Sequence, residues 1–225
     1  MKLTYWNAQP NFGDMLGPWL CDRLYSVEAS WASWSKSDAV MTGSLLQQVP
    51  AGWTGKVLGT GALTAGVKLA PNADVRAVRG ALSQKSTGRS QLVLGDPGIL
   101  VALALDADVR ERIRDNCYGD VFIPHYIDPR PGVQCVSNVM KTIAQIVKAE
   151  RVVSSSLHVL IAADALGVEH CWDPCDEVLG GGFKFHDYVS AFGLTITPGE
   201  FRLTPRAAMQ ERVEELDWLL TTSIS

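Results

Sequence analysis

The chemically richest stretch of the sequence is Val153-Ser154-Ser155-Ser156-Leu157-His158, where an apolar run enters a serine turn and then a nearly all-apolar helical segment. A helix that starts there aims its free N–H groups and its positive dipole end at the turn, which makes an anion site. Serine hydroxyls add donors without bulk. His158, in the first helical turn, is of a residue type that can give or take a proton. The plainer alternative is a serine N-cap with a histidine satisfied in the core. The purely apolar surroundings of His158 favour the functional reading.

Four further places put polar groups just after an apolar run. Asn11-Phe12-Gly13-Asp14 offers an amide, a carboxylate and a glycine that permits close backbone approach at a helix start; its plain alternative is a turn with Asp14 as N-cap. Arg79 in Val78-Arg79-Gly80 can hold a carboxylate or phosphate with two parallel hydrogen bonds, or form an ordinary ion pair. Gly95-Asp96-Pro97 and Pro124-His125 suit substrate contact and loop chemistry equally.

The elements that must position these residues alternate between short β-rich and helical segments. Strands are expected over 2–6, 39–42, 56–58, 75–78 and 91–94, then over 121–124, 151–153 and 168–172. Leu16, Leu20 and Leu24 recur at helical spacing, with Pro18 placed in the first turn. Val136, Val139, Met140, Ile143, Ile146 and Val147 fall on one helical face, with Ser137 as N-cap. Gly167 should stop the helix over 157–166. Thr204-Pro205 opens a C-terminal helix burying Val213, Leu216 and Leu220. This order predicts an α/β fold of two Rossmann-like lobes of mostly parallel sheet, at 1–100 and 101–203. The last helix, in 204–225, packs back on the first lobe. Ligands of such sheets sit outside the carboxyl ends of the strands, so the residues after strands are the candidates.

Composition narrows the function classes. Apolar residues make up 47 % and charged residues 20 % of 225, an ordinary globular mix. A net charge of −4 without a basic run argues against nucleic acid as partner. Cys21, Cys117, Cys135, Cys171 and Cys175 are an odd set without regular spacing, read as reduced thiols. The N-terminus lacks the apolar stretch of a signal peptide, and the longest apolar run, 99–105, is far short of the roughly 18–20 residues of a membrane span. A cytoplasmic protein is expected. Gly59-Thr60-Gly61 lacks the third glycine of a dinucleotide fingerprint. His170, Cys171 and Cys175 lack the paired spacing of a zinc site, and no metal or cofactor is expected. Gly180-Gly181-Gly182 reads as a flexible loop, and Trp31 and Trp34 as core residues rather than sugar platforms.

With these residues laid out, the chain resembles the polysaccharide pyruvyltransferase family. The matches are Asn11-Phe12-Gly13-Asp14, Val78-Arg79-Gly80, Leu94-Gly95-Asp96-Pro97, Ser154-Ser155-Ser156-Leu157-His158, Ala162-Ala163-Asp164-Ala165-Leu166-Gly167 and Lys184-Phe185-His186-Asp187-Tyr188. The resemblance implies a glycosyltransferase-B-like pair of lobes with phosphoenolpyruvate in the cleft, transferred as a cyclic ketal to two hydroxyls of one sugar with release of phosphate. It implies that Arg79 binds the donor's anionic groups and that His158 is the catalytic histidine. Many members carry arginine directly before the Leu-His pair, where this chain has Ser156. The chemistry asks for an acid to protonate the methylene carbon (His158) and a group to take the hydroxyl proton (Asp14 or Asp96). The candidate substrate-binding residues are Asn11, Gly13, Arg79, His125, Ser154, Ser155, Ser156, Leu157 and Lys184. A lipid-linked acceptor would place the enzyme at the inner membrane face. The competing readings are a nucleotide-sugar glycosyltransferase and a non-catalytic glycan- or anion-binding relative.

Overall fold

In the computed structural model, residues 1–9, 11–67, 69, 71–105, 118–134 and 138–224 are described. The first half supplies β1 (Lys2–Thr4), α1 (Phe12–Tyr25), β2 (Ser30–Trp31), β3 (Ala39–Val40), β4 (Lys56–Leu58), β5 (Asp74–Val78), α2 (Ala81–Thr87) and β6 (Val93–Leu94). Its six strands form one sheet in the order β2-β1-β3-β4-β5-β6, every pairing parallel. Successive residues point to opposite faces. Ala39, Leu58 and Ala77 therefore join one apolar cluster while Val40, Val57 and Val78 join another.

The second half supplies α3 (Val101–Ala104), β7 (Tyr118–Phe122), α4 (Val139–Lys148), β8 (Ala149–Ser154), α5 (Leu157–Ala165), β9 (Glu169–Trp172), α6 (Phe183–Ser190), β10 (Phe201–Arg202) and α7 (Arg206–Ile224). Its sheet runs β10-β9-β8-β7, parallel except for β10, which is antiparallel to β9. The molecule is thus α/β with a parallel six-stranded sheet and a second, mixed one, as a Rossmann-like reading expects. Strands β2 (Ser30–Trp31) and β10 (Phe201–Arg202) escape the sequence because, unlike the equally short β3 and β6, they hold no apolar run.

The two sheets share one core. Leu3 of β1, Phe12, Leu16 and Leu20 of α1, Ile143 of α4, Ile161 of α5 and Leu216 of α7 lie in a single apolar cluster. Residue 100, the expected division between the lobes, closes a buried turn, Pro97–Leu100, that runs directly into α3. Helix α7 packs on β6, on Pro97–Leu100 and on α1, all in the first half. Val213, Leu216 and Leu220 are buried there, and Lys56 Nζ donates to the Ser223 carbonyl at 2.7 Å.

Helix boundaries differ from expectation where caps decide them. Asn11, not Asp14, caps α1: its side chain accepts the Asp14 N–H at 3.2 Å, so the helix opens at Phe12. Pro18 consequently sits inside α1 rather than in its first turn. Asn138 caps α4 by accepting the Lys141 N–H at 3.0 Å; Val136 and Ser137 lie outside the described residues, as do Cys117 and Cys135. Gly167 ends α5 at φ +74° as anticipated. Among the described residues, Cys21, Cys171 and Cys175 are free thiols, and no helix is long and apolar enough to cross a membrane.

Candidate functional site

The strand order of the first sheet reverses direction between β1 and β3, the switch point where parallel α/β sheets open a crevice beyond their strand ends. The chain leaving β1 brings Trp6, Asn11 and Asp14 to this point, and the chain leaving β3 brings Gly43 and Ser44. From the second sheet come His125 and Tyr126 after β7, and Ser156, Leu157 and His158 after β8. Helix α6 adds Lys184. Together they line a cavity of about 170 Å³.

His158 is held from two sides. A Cβ at Gly13 would lie 2.2 Å from its Nδ1, so only glycine lets the ring rest on the first turn of α1. On the other side, Nε2 lies 3.6 Å from Oδ2 of the fully buried Asp96, and neither atom has another hydrogen-bond partner. Asp96 Oδ1 accepts the Gly98 N–H at 2.9 Å, capping the turn Pro97–Leu100, which fixes the carboxylate. The separation is longer than a hydrogen bond. Nε2 is thus sealed from solvent and turned to Asp96, while Nδ1 lies against Gly13.

Asp14 faces the same space. Burial raises its carboxyl above the ordinary range, against the hydrogen bond from Asn11, the nearby His158 and the Trp6 backbone, all of which lower it. Asn11 Nδ2 donates to Asp14 Oδ2. A carboxylate raised in this way is a better base than one in water.

Lys184 is the cation on the cavity wall. Burial, helped by the positive charge of Arg79 and opposed by Asp14, lowers its pKa to about 8. His125 is pushed the same way, to about 4, first by burial and then by Lys184 and His158, with Asp128 opposing. It is therefore neutral at pH 7, and its backbone N–H is tied to Ser155 Oγ at 2.9 Å. Helix α5 presents its open end: Ser156 is the N-cap residue, yet its hydroxyl makes no capping bond, leaving first-turn N–H groups for an anion.

Several sequence candidates are placed behind this wall rather than on it. Arg79 is fully buried; its Nε donates to Asp187 Oδ2 at 2.9 Å, Nη1 to Ser44 Oγ at 2.8 Å, and Nη2 to the Ala62 carbonyl. Gly61, set aside as a fingerprint residue, makes room for that guanidinium: a Cβ there would lie 2.3 Å from Cζ. Asp187 also accepts the Ser83 N–H and hydroxyl, so one carboxylate joins α6 to β5 and to the start of α2. The guanidinium is thus spent inside the protein and is unavailable to a donor. Ser154 and Ser155 are likewise occupied. Ser154 Oγ donates to the Ile123 carbonyl at 2.5 Å, and Ser155 Oγ to Asp128 at 2.6 Å. Asp96 and Gly13 act on His158 and do not line the cavity. Asn11, Asp14, His125, Ser156, Leu157, His158 and Lys184 do.

Removing one partner of a buried ion pair costs about 3–5 kcal/mol. Arg79→Ala is therefore expected to lower unfolding free energy by about that amount in urea titrations, with the loss appearing in stability before it appears in ligand affinity. An unchanged urea midpoint would contradict this placement.

The sequence missed Trp6, Ser44, Gln48 and Tyr126 on the cavity wall. Ser44 follows β3 and Tyr126 follows His125, so the strand-end rule reaches both; Gln48 carries no local signal.

No family model and no solved structure matches the chain. It is similar to uncharacterized protein L143 of Acanthamoeba polyphaga mimivirus, with 30 % identity over 122 residues that make up 47 % of this chain and 42 % of that protein. The chain thus covers less than half the length of that relative.

Proposed function

We propose that the protein transfers the carbon skeleton of phosphoenolpyruvate to a saccharide as a cyclic ketal, releasing phosphate. The observation that carries this reading is the meeting of a carboxylate-backed histidine, a buried lysine and an uncapped helix N-terminus in one small cavity. At about 170 Å³ the space is below the roughly 300–1,000 Å³ of pockets for drug-sized ligands. A phosphorylated three-carbon acid suits it better than a nucleotide-sugar. The pairing of two α/β sheets agrees with a glycosyltransferase-B-like arrangement, and a cytoplasmic enzyme meeting a free or lipid-linked acceptor at the inner membrane face fits the reading.

In this reading Lys184 and the α5 N-terminus hold the carboxylate and phosphate, so Lys184 takes the part expected of Arg79 and of the arginine that Ser156 replaces. His158, as the imidazolium, protonates the methylene carbon, and Asp96 stabilises that cation. One sugar hydroxyl adds to the oxocarbenium-like carbon, losing its proton to Asp14. The second displaces phosphate as the carbon–oxygen bond to phosphorus breaks, and its proton leaves with the phosphate.

Calorimetric titration with phosphoenolpyruvate and with UDP-glucose, followed by phosphate-release assays on galactose, glucose and mannosamine acceptors, tests the proposal. Donor binding with acceptor-dependent phosphate release is expected. Binding of UDP-glucose alone would replace it with the glycosyltransferase reading. Tight phosphoenolpyruvate binding without turnover on the whole panel would leave a binding protein.

A further inference from the structure

We infer that a second cleft, opening beside the cavity, is the subsite for the neutral sugar ring of the acceptor; the name acceptor rests on the proposed transfer, the sugar site itself does not. The cleft, of about 380 Å³, shares Trp6, Leu45 and Gln48 with the cavity and adds Trp31 and Trp34. The two spaces are therefore neighbours on either side of these three residues.

Trp6 and Trp31 are 44 % and 45 % exposed, which is unusual for side chains of this size. Trp31, read from the sequence as a core residue, is not one. Their exposure is not loose. Trp31 Nε1 donates to the Tyr5 carbonyl at 3.1 Å, which ties the indole to the chain segment carrying Trp6. Trp34 meets Trp53 edge-on at 5.1 Å between ring centres. Trp53 is itself buried and bonded through Nε1 to the Ser37 carbonyl and hydroxyl. Exposed indoles already fixed in place lose little side-chain entropy on binding.

The chemistry of the lining selects the occupant. Among the described residues no charged one borders the cleft; its polar side chains include the exposed amides of Asn7 and Gln48. A pyranose has one face of C–H groups that can lie on an indole and a rim of hydroxyls that can bond to amides. A phosphate or carboxylate would find no cation here, whereas Lys184 stands on the wall of the neighbouring cavity. The two clefts divide anion from neutral sugar.

The test is titration of the indole N–H signals of the full chain, which has seven tryptophans, with methyl glycosides of galactose, glucose and mannosamine. Signals are assigned by single Trp→Phe variants. Shifts at Trp6 and Trp31 for at least one glycoside are expected, lost in Trp31→Ala and kept in Trp218→Ala, whose exposed side chain lies on α7. In turnover assays Trp31→Ala should raise the acceptor KM tenfold or more, with a much smaller change in kcat and an unchanged Kd for phosphoenolpyruvate. If phosphate release proceeds while no glycoside moves these signals and Trp31→Ala keeps the wild-type KM, the sugar subsite is overturned and the transferase stands. If the signals move but no acceptor supports phosphate release, the subsite stands and the transferase falls. Signals moved by an apolar peptide and by no glycoside would assign the cleft to a protein partner and overturn the inference.

Discussion

Lys184→Met should weaken phosphoenolpyruvate binding by about 10- to 150-fold, the loss of a charge-assisted hydrogen bond worth about 1.5–3 kcal/mol. The wild-type protein should show a matching pH dependence. Free Lys184 titrates at about 8 because burial and Arg79 disfavour its charge. The anion binds the protonated form and, once bound, raises the lysine pKa. Affinity should therefore hold up to about pH 8 and then fall about tenfold per pH unit, until the pH reaches the raised pKa of the complex. A phosphate monoester has its second pKa near 6, so the donor's own charge is constant over this window. Calorimetry from pH 7 to 9.5 reads both effects. A flat profile in the wild type, or a Lys184→Met variant that binds normally, would remove the lysine from the donor site.

His158→Ala should lower acceptor-dependent phosphate release by about 10²- to 10⁴-fold, the usual worth of a positioned acid or base, while changing donor affinity little. The two contacts that hold the imidazole should report on the same step. Asp96→Asn replaces the carboxylate facing Nε2 with a neutral amide, so the rate should fall, though by less than in His158→Ala. Gly13→Ala pushes a methyl group into the ring, 2.2 Å from Nδ1, and should lower kcat together with a loss of about 1–3 kcal/mol of stability in urea titrations. Full activity in His158→Ala would end the assignment of His158 as the acid, whatever the other two variants do.

Much of the fold could be read in the sequence because it is local. The apolar runs of β4, β5 and β8 are separated by turn residues, and the one-sided apolar pattern of α4 has the period of a helix. The order of these elements is enough to call for parallel sheets. The two-residue strands β2 and β10 could not be read, since they exist only because a neighbouring strand pairs with them.

For the site, the sequence by itself determined which residues follow strands and which helix begins on a serine turn, and so which groups could gather at the strand ends. Only the tertiary structure decided which way each one faces. Arg79 and Lys184 are both cations of recognisable motifs. Asp187, 108 positions along the chain, takes Arg79 into the interior, while the same helix turns Lys184 to the cavity. Ser154 and Ser155 meet partners on the segment after β7 and are used up; the Ser156 hydroxyl makes no capping bond. Trp31 is as apolar in sequence as any core residue, yet its side chain stays 45 % exposed. Spacing expresses what a chain can offer locally, whereas burial and pairing depend on partners that distant segments bring.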